Sequence, residues 1–281
     1  MYKGNKIAVI VPAYNEESQI ENTLINIPCF VDRVYVIDDS STDDTRLIAE
    51  KIAKNNKRIT IITLAHNKGV GQAITNGHHW ALAEEMDIAA VMAGDNQMDP
   101  FYLPDFLDPI VDNKADYTKG NRISQRYNHQ QMPLFRYIGN QILTLLTRIA
   151  SGYWNISDPQ NGYTAITTTV LSKMPLNRLY KGFAFENDML INLNILNARV
   201  VDIHHPAIYK DRSSHIVYPE FIAQTSWFLF KNWLRRLWIK YCIRRNTNDI
   251  PLHYQHRSPS SYLEAFNSNS QKSRQKRQDY C

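Results

Sequence analysis

Apolar runs of strand length recur through the first third of the chain, at Ile7–Val11, Val34–Ile37, Ile59–Leu64 and Ile88–Met92. They are rich in β-branched or small apolar residues, and the longer segments between them space their apolar positions as helices do. Before one such segment, Ser41-Thr42-Asp43-Asp44 supplies helix-capping side chains and early acids, and Leu47, Ile48 and Ile52 follow as an apolar stripe. Strands that alternate with helices in this way predict βαβ units, a mainly parallel sheet and helices on both of its faces. In such sheets ligands bind beyond the carboxyl ends of the strands. Polar clusters stand at those ends here: Asn15-Glu16-Glu17, Asp38-Asp39-Ser40-Ser41 and Asp95-Asn96-Gln97.

Further along, Phe183 to Leu190 opens a helix with Leu190, Ile191, Leu193 and Leu196 as apolar positions. After Tyr218 the character changes. Trp227, Phe230, Leu234, Leu237, Trp238 and Tyr241 share one face of a helical wheel, and Lys231, Arg235, Arg236, Lys240, Arg244 and Arg245 flank or oppose it. No acid falls between Phe221 and Arg245. Aromatic anchors with only basic charges suit a helix lying in the interface of an anionic leaflet. The same pattern would also serve a helix packed on the domain, or one pairing with a second subunit in an oligomer. Residues 247–281 are rich in Ser, Gln, Asn, Lys and Arg, with few aliphatics, which predicts a disordered tail. The expected organisation is an α/β domain over 1–217, an amphipathic interface helix over 218–246 and the tail over 247–281.

The formal net charge of +5 favours anionic partners without choosing among them. Its concentration on an aromatic-rich helix and on the tail argues against nucleic acid. Cys29, Cys242 and Cys281 are far apart and lack C-x-x-C spacing, so neither a disulfide framework nor a zinc site is expected, and a reducing cytoplasm fits. No signal sequence and no run approaching about 20 apolar residues is present, so the expected place is peripheral, at the inner face of a membrane.

Three ordered motifs carry a family resemblance. Val11-Pro12-Ala13-Tyr14-Asn15-Glu16, Asp38-Asp39-Ser40-Ser41-Thr42-Asp43 and Asn67-Lys68-Gly69 resemble the inverting glycosyltransferases of family 2, which have the GT-A fold. The likeness runs from about Ile7 to Ile216 and is nearest the branch of dolichyl-phosphate mannose synthase and bacterial polyprenyl-phosphate glycosyltransferases. It implies that Pro12, Tyr14, Glu16 and Asp39 hold the base and ribose of a nucleotide-sugar such as a UDP- or GDP-sugar. Lys68 would meet a phosphate, unless it is a solvated surface lysine. Asp38 and Asp39 could instead be turn residues whose carboxylates bond nearby amides.

A departing nucleotide diphosphate needs its charge neutralised, and the fold usually does this with Mg²⁺ or Mn²⁺. Where the family places Asp-x-Asp, this chain reads Ala93-Gly94-Asp95-Asn96-Gln97, so Asp95 becomes the expected principal metal ligand, with Gln97 beside it. Tyr117 to Arg122 resembles the family's strand ending in Gly-x-Arg. Ser157-Asp158-Pro159-Gln160-Asn161-Gly162-Tyr163 resembles its acceptor-side motif and nominates Asp158. The helix opened at Phe183 nominates Glu186 or Asp188 as catalytic base, although acids at a helix start can be capping charges. The loop after His204-His205 resembles one whose arginine closes over the diphosphate, which nominates Arg212. Adjacent histidines on extended chain point to opposite faces, so they are not expected to share a metal.

The resemblance implies inverting transfer of a sugar to a lipid acceptor, polyprenyl phosphate, in cell-envelope or glycan biosynthesis. A phosphate oxygen is already anionic and needs no strong base. Replacing Asp188 by Asn is then expected to leave both turnover and donor binding in place. Two alternatives stand beside this: a hydroxyl-directed enzyme extending a lipid-linked or capsular glycan, and, because of Ala93, a non-catalytic scaffold of the same fold.

Overall fold

The computed structural model describes residues 1–122, 134–182, 184–206 and 218–243. Strands β1 (Ile7–Ala13), β2 (Arg33–Asp38), β3 (Ile59–Thr63) and β4 (Ile88–Val91) take up the four apolar runs and pair in parallel. Strands β5 (Tyr117–Asn121), β6 (Thr164–Thr167) and β7 (Val200–His204) complete a seven-stranded sheet in the order β3-β2-β1-β4-β6-β5-β7. Only β6 runs against its neighbours. Its four residues give no sequence signal of direction, because antiparallel and parallel strands with both faces buried look alike.

Burial of β1 over all seven residues follows from helices on both sides of the sheet. Ala8 and Ile10 point with Tyr35 and Ile37 to one layer, formed by α3 (Val70–Ala83), α6 (Thr168–Leu171) and α7 (Phe185–Ile195). Ile7, Val9 and Val11 point with Val34 and Val36 to the other, formed by α1 (Ile20–Ile25), α2 (Thr45–Asn55) and α4 (Leu103–Val111). Helix α2 begins where its capping signal lies, but Leu47 is exposed; the inward face is Thr45, Ile48, Ala49 and Ile52, centred about 150° away on the wheel.

A third layer of packing distinguishes the carboxyl-terminal half. Helix α5 (Leu134–Ser151) and helix α8 (Tyr218–Leu237), which runs on into a π-helical turn at Trp238–Ile243, close over α7. Leu143 and Ala150 of α5, Ile191 and Ile195 of α7 and Leu229 of α8 form the apolar centre of this bundle. Every residue of α7 is buried as a result, including Glu186, Asn187, Asp188, Asn192 and Asn194. Buried polar groups need partners, and α8 supplies several. Arg235 donates to Asn192 and Asp188, while Arg236 and Lys240 both donate to Asn194 Oδ1, at 3.0 and 2.9 Å.

On α3, His78 is enclosed with neither ring nitrogen hydrogen-bonded. Burial, and secondarily the neighbouring His79, pull its imidazole down to about 3. The native state therefore refuses a proton that the unfolded chain takes up as pH falls through 6.5. Stability is lost on acidification through that window, by about 1.4 kcal/mol per pH unit at most for one proton. His78→Leu should flatten the wild-type decline in unfolding free energy between pH 7 and pH 5 by about 2 kcal/mol in urea titrations. Parallel profiles for the two proteins would refute it.

Candidate active site

A cleft of about 540 Å³ opens at the carboxyl ends of β1, β2 and β4. Its walls include Pro12, Tyr14, Glu16, Asp39, Asn67, Gly69, Ala93, Gly94, Asp95 and Gly182. Of the strand-end loops that build it, those after β1, β2 and β4 each turn through a non-glycine residue in the left-handed region: Asn15 at φ 54°, Ser40 at φ 65° and Asn96 at φ 56°. Asparagine tolerates that conformation better than other side chains, and such strain gathers at ligand sites. The first two loops are tied together. Ser41 Oγ accepts from the Asn15 amide at 3.0 Å and Asn15 Oδ1 accepts from the Thr42 amide at 2.9 Å.

Both aspartates at the end of β2, Asp38 and Asp39, are buried and bonded to backbone. Asp38 Oδ1 accepts from the Ser41 amide at 3.0 Å, a local turn. Asp39 reaches across the cleft instead: its two oxygens accept from the amides of Lys68 and Gly69, each at 2.8 Å. Asp39 thus lines the cleft and holds the loop that leads into α3, while Lys68 takes part through its backbone and its side chain is exposed. A strap, Tyr180–Gly182, lies against the start of that helix. The Gly71 amide donates to Lys181 O at 2.9 Å, and a Cβ on Gly71 would come within 2.7 Å of Tyr180 O. Glycine is required there so that the strap can close the cleft wall.

Asp95 lines the cleft, with Oδ1 accepting from the Gln97 amide at 3.1 Å; the Gln97 side chain is not among the lining groups. The Ala93 amide bonds Met98 Sδ, and Asp99 Oδ1 caps the short turn at Pro100–Tyr102 by accepting from Phe101 N at 2.9 Å. Among the described residues no three His, Cys, Asp or Glu side chains gather around one point. Of the carboxylates lining the cleft, Asp39 is taken up by the Lys68 and Gly69 amides, and Asp95 stands on the β4 loop. One carboxylate there fits a cation of the Mg²⁺ kind, which keeps waters and takes most other ligands from substrate phosphates.

The remaining nominated acids stand outside the lining of that cleft. Asp158 is buried in a two-point pair with Arg122, Nε to Oδ2 at 2.7 Å and Nη2 to Oδ1 at 3.2 Å. Glu186 Oε2 meets Lys119 Nζ at 2.6 Å, and that lysine, with no exposed side-chain surface, also donates to Asn161 O at 2.6 Å. Asp188 accepts from the Tyr180 amide at 2.9 Å and from Asn192 Nδ2 at 2.9 Å, with Arg235 at 3.4 Å. Burial pushes its carboxyl up, against the lowering effect of those donors. His205 is buried between Asn161 Nδ2 at 2.7 Å and Pro206 O at 3.1 Å, an arrangement that suits the neutral ring protonated on Nδ1, whereas His204 is exposed. Arg212 lies outside the described residues. Neither the strap nor Lys119 was nominated by the sequence. A lysine sharing a strand face with Tyr117 was the available signal for a buried cation in need of a carboxylate.

The Glycosyl transferase family 2 profile matches residues 8–174. The chain belongs to that family. Among its relatives, the UDP-N-acetylglucosamine--dolichyl-phosphate N-acetylglucosaminyltransferase of Methanococcus voltae is 28% identical over 74% of this chain and 87% of its own length. The undecaprenyl-phosphate mannosyltransferase of Micrococcus luteus is 27% identical over 81% and 96%. The likeness to the polyprenyl-phosphate branch therefore extends to curated members of it. Glucosyl-3-phosphoglycerate synthase from Mycobacterium tuberculosis, solved with Mn²⁺, uridine diphosphate and glucosyl-3-phosphoglycerate, superposes with a TM-score of 0.56 at 21% identity, covering 83% of this chain and 80% of that one. The GT-A-like fold and a glycosyltransferase activity follow, and the reading as a non-catalytic scaffold falls away.

Proposed function

We propose that this glycosyltransferase moves a sugar from a UDP- or GDP-sugar in the cleft to a polyprenyl phosphate at a membrane surface. The observation that carries the acceptor class is the state of the acids: Glu186, Asp188 and Asp158 are each buried and committed to protein partners, which suits an acceptor that brings its own negative charge. Relatives acting on dolichyl and undecaprenyl phosphate support the same reading. An acceptor phosphate oxygen attacks the anomeric carbon, the bond to the nucleotide diphosphate breaks with its electron pair, and configuration inverts. Pro12, Tyr14, Glu16 and Asp39 orient the nucleoside, and Asp95 would hold the cation, steadied by the Gln97 amide that donates to its Oδ1. Bound there, Mg²⁺ or Mn²⁺ would neutralise the departing diphosphate. Arg212 is the proposed counter-charge from the protein. The test is radiolabelled sugar transfer by the full chain to undecaprenyl phosphate in phosphatidylglycerol vesicles, with a panel of UDP- and GDP-sugars. Transfer confined to glycan hydroxyls would favour the alternative acceptor.

Membrane attachment in this proposal rests on the aromatic rather than the basic side of α8. Arg235, Arg236 and Lys240, expected from the sequence to meet lipid, are drawn inward because the polar face of α7 needs donors. Trp227, Trp238 and Tyr241 are left 64%, 64% and 65% exposed, and Ile142, Leu145 and Ile149 of α5 are exposed as well. Exposed apolar surface of this kind on two packed helices suits an interfacial seat. No helix among the described residues is long and apolar enough to cross a membrane. Changing Trp227, Phe230 and Trp238 together to Ser should cut vesicle co-sedimentation at least tenfold while leaving the melting temperature within about 2 °C. Arg235→Glu with Arg236→Glu should instead lower the melting temperature. Unchanged sedimentation of the triple variant would sink the membrane reading.

A further inference from the structure

The strap Tyr180–Gly182 touches the donor side of the molecule with one edge and the outer helix with the other. Toward the cleft, Gly182 forms part of the wall and Lys181 O receives the Gly71 amide at 2.9 Å. Toward α8, the Tyr180 ring packs on Phe228 with centroids 4.9 Å apart. Between the two stands Asp188. Its Oδ2 accepts from the Tyr180 amide at 2.9 Å, its Oδ1 accepts from Asn192 at 2.9 Å, and Arg235 of α8 closes the set by donating to both Asp188 at 3.4 Å and Asn192 at 3.1 Å.

We propose that Asp188 is a positioning residue for the donor: clamped by Arg235 from α8, it holds the Tyr180–Gly182 strap in the place that completes the donor cleft. This rests on the reading of that cleft as the nucleotide-sugar site. The carboxylate is buried, which pushes its pKa up and makes its charge costly, while the amide, carboxamide and guanidinium donors around it act in the opposite sense. A group carrying that cost merely to fill space could be apolar. Its bond from the first turn of α7 to the Tyr180 amide gives it a task, since a hydrogen bond to a carboxylate is stronger than one between neutral groups. Phe228 adds a second, independent hold from the same helix. This role departs from the sequence-based expectation that donor binding is indifferent to Asp188.

The experiment is calorimetric titration of the full chain with uridine and guanosine diphosphates in Mn²⁺, beside steady-state kinetics. Asp188→Ala and Arg235→Met should each weaken nucleotide binding and raise the donor KM about tenfold, with kcat at saturating donor falling less than threefold. Arg235→Lys should recover part of the loss. Gly71→Ala, which pushes on Tyr180 O without touching Asp188, should reproduce the same KM effect. A fall in kcat with unchanged nucleotide affinity in Asp188→Ala would overturn the proposal and make Asp188 a catalytic base. Undiminished affinity in Asp188→Ala and Gly71→Ala, in protein with native circular dichroism, would overturn it as well. If the wild-type chain bound neither nucleotide, the reading of the cleft would fail and this inference with it.

Discussion

Asp95→Ala should reduce sugar transfer by two to three orders of magnitude, whereas Asp99→Ala should cost less than about tenfold. Asp95 is the carboxylate that faces the cleft where the family ordinarily places two, because Ala93 stands at the first position. A cation held by one protein carboxylate and the diphosphate depends on that carboxylate almost entirely. Neutralising the leaving group is worth several kcal/mol in the transition state, and each 1.36 kcal/mol is about tenfold in rate. Asp99 by contrast caps the Pro100–Tyr102 turn, and loss of a cap costs about 1 kcal/mol of local stability. Transfer rates measured across a Mn²⁺ titration, with circular dichroism to confirm folding, provide the test. Equal and mild effects of the two substitutions would remove Asp95 from the metal site. Ala93→Asp should tighten the apparent Mn²⁺ affinity, and an unchanged titration would mean that position 93 does not reach the cation.

Lys119→Met should be the most destabilising single change, lowering unfolding free energy by about 3–5 kcal/mol. Lys119 has no exposed side-chain surface and Glu186 has 11%, and their 2.6 Å pair sits where β5 meets the start of α7. Removing the cation strands a buried carboxylate, and Tyr117, whose hydroxyl is 3.5 Å from Glu186 Oε2, can compensate only weakly. The cost belongs to the orphaned charge more than to the pair. Lys119→Met with Glu186→Leu should therefore recover more than half of the loss, because an apolar replacement of a buried ion pair is often close to neutral. Urea unfolding of wild type, both single variants and the double variant forms the cycle. Additive losses would show that each residue is held by other interactions and that the pair has little energy of its own.

The β1–β4 half of the fold and the position of the donor cleft were determined by local pattern. Uninterrupted apolar strands, helical spacing between them and acids or amides at their carboxyl ends suffice, because strand burial on both faces and ligand binding beyond the strand ends follow from backbone geometry alone. Glu16, Asp39 and Asp95 stand in the strand-end clusters for that reason, the resemblance to the family added Pro12 and Tyr14, and all five line one cleft. Tertiary structure decided what the other half does. The antiparallel direction of β6, the pairing of Lys119 with Glu186 and the closure of the strap on Gly71 join residues far apart in sequence. Most consequential is the roll of α8. On a wheel its basic residues look destined for lipid, yet Asn192, Asn194 and Asp188 of α7 require donors, and satisfying buried polar groups outweighs leaving arginines in water. That demand arises on a different helix, so no reading of residues 218–243 by themselves could reveal which face of α8 turns inward.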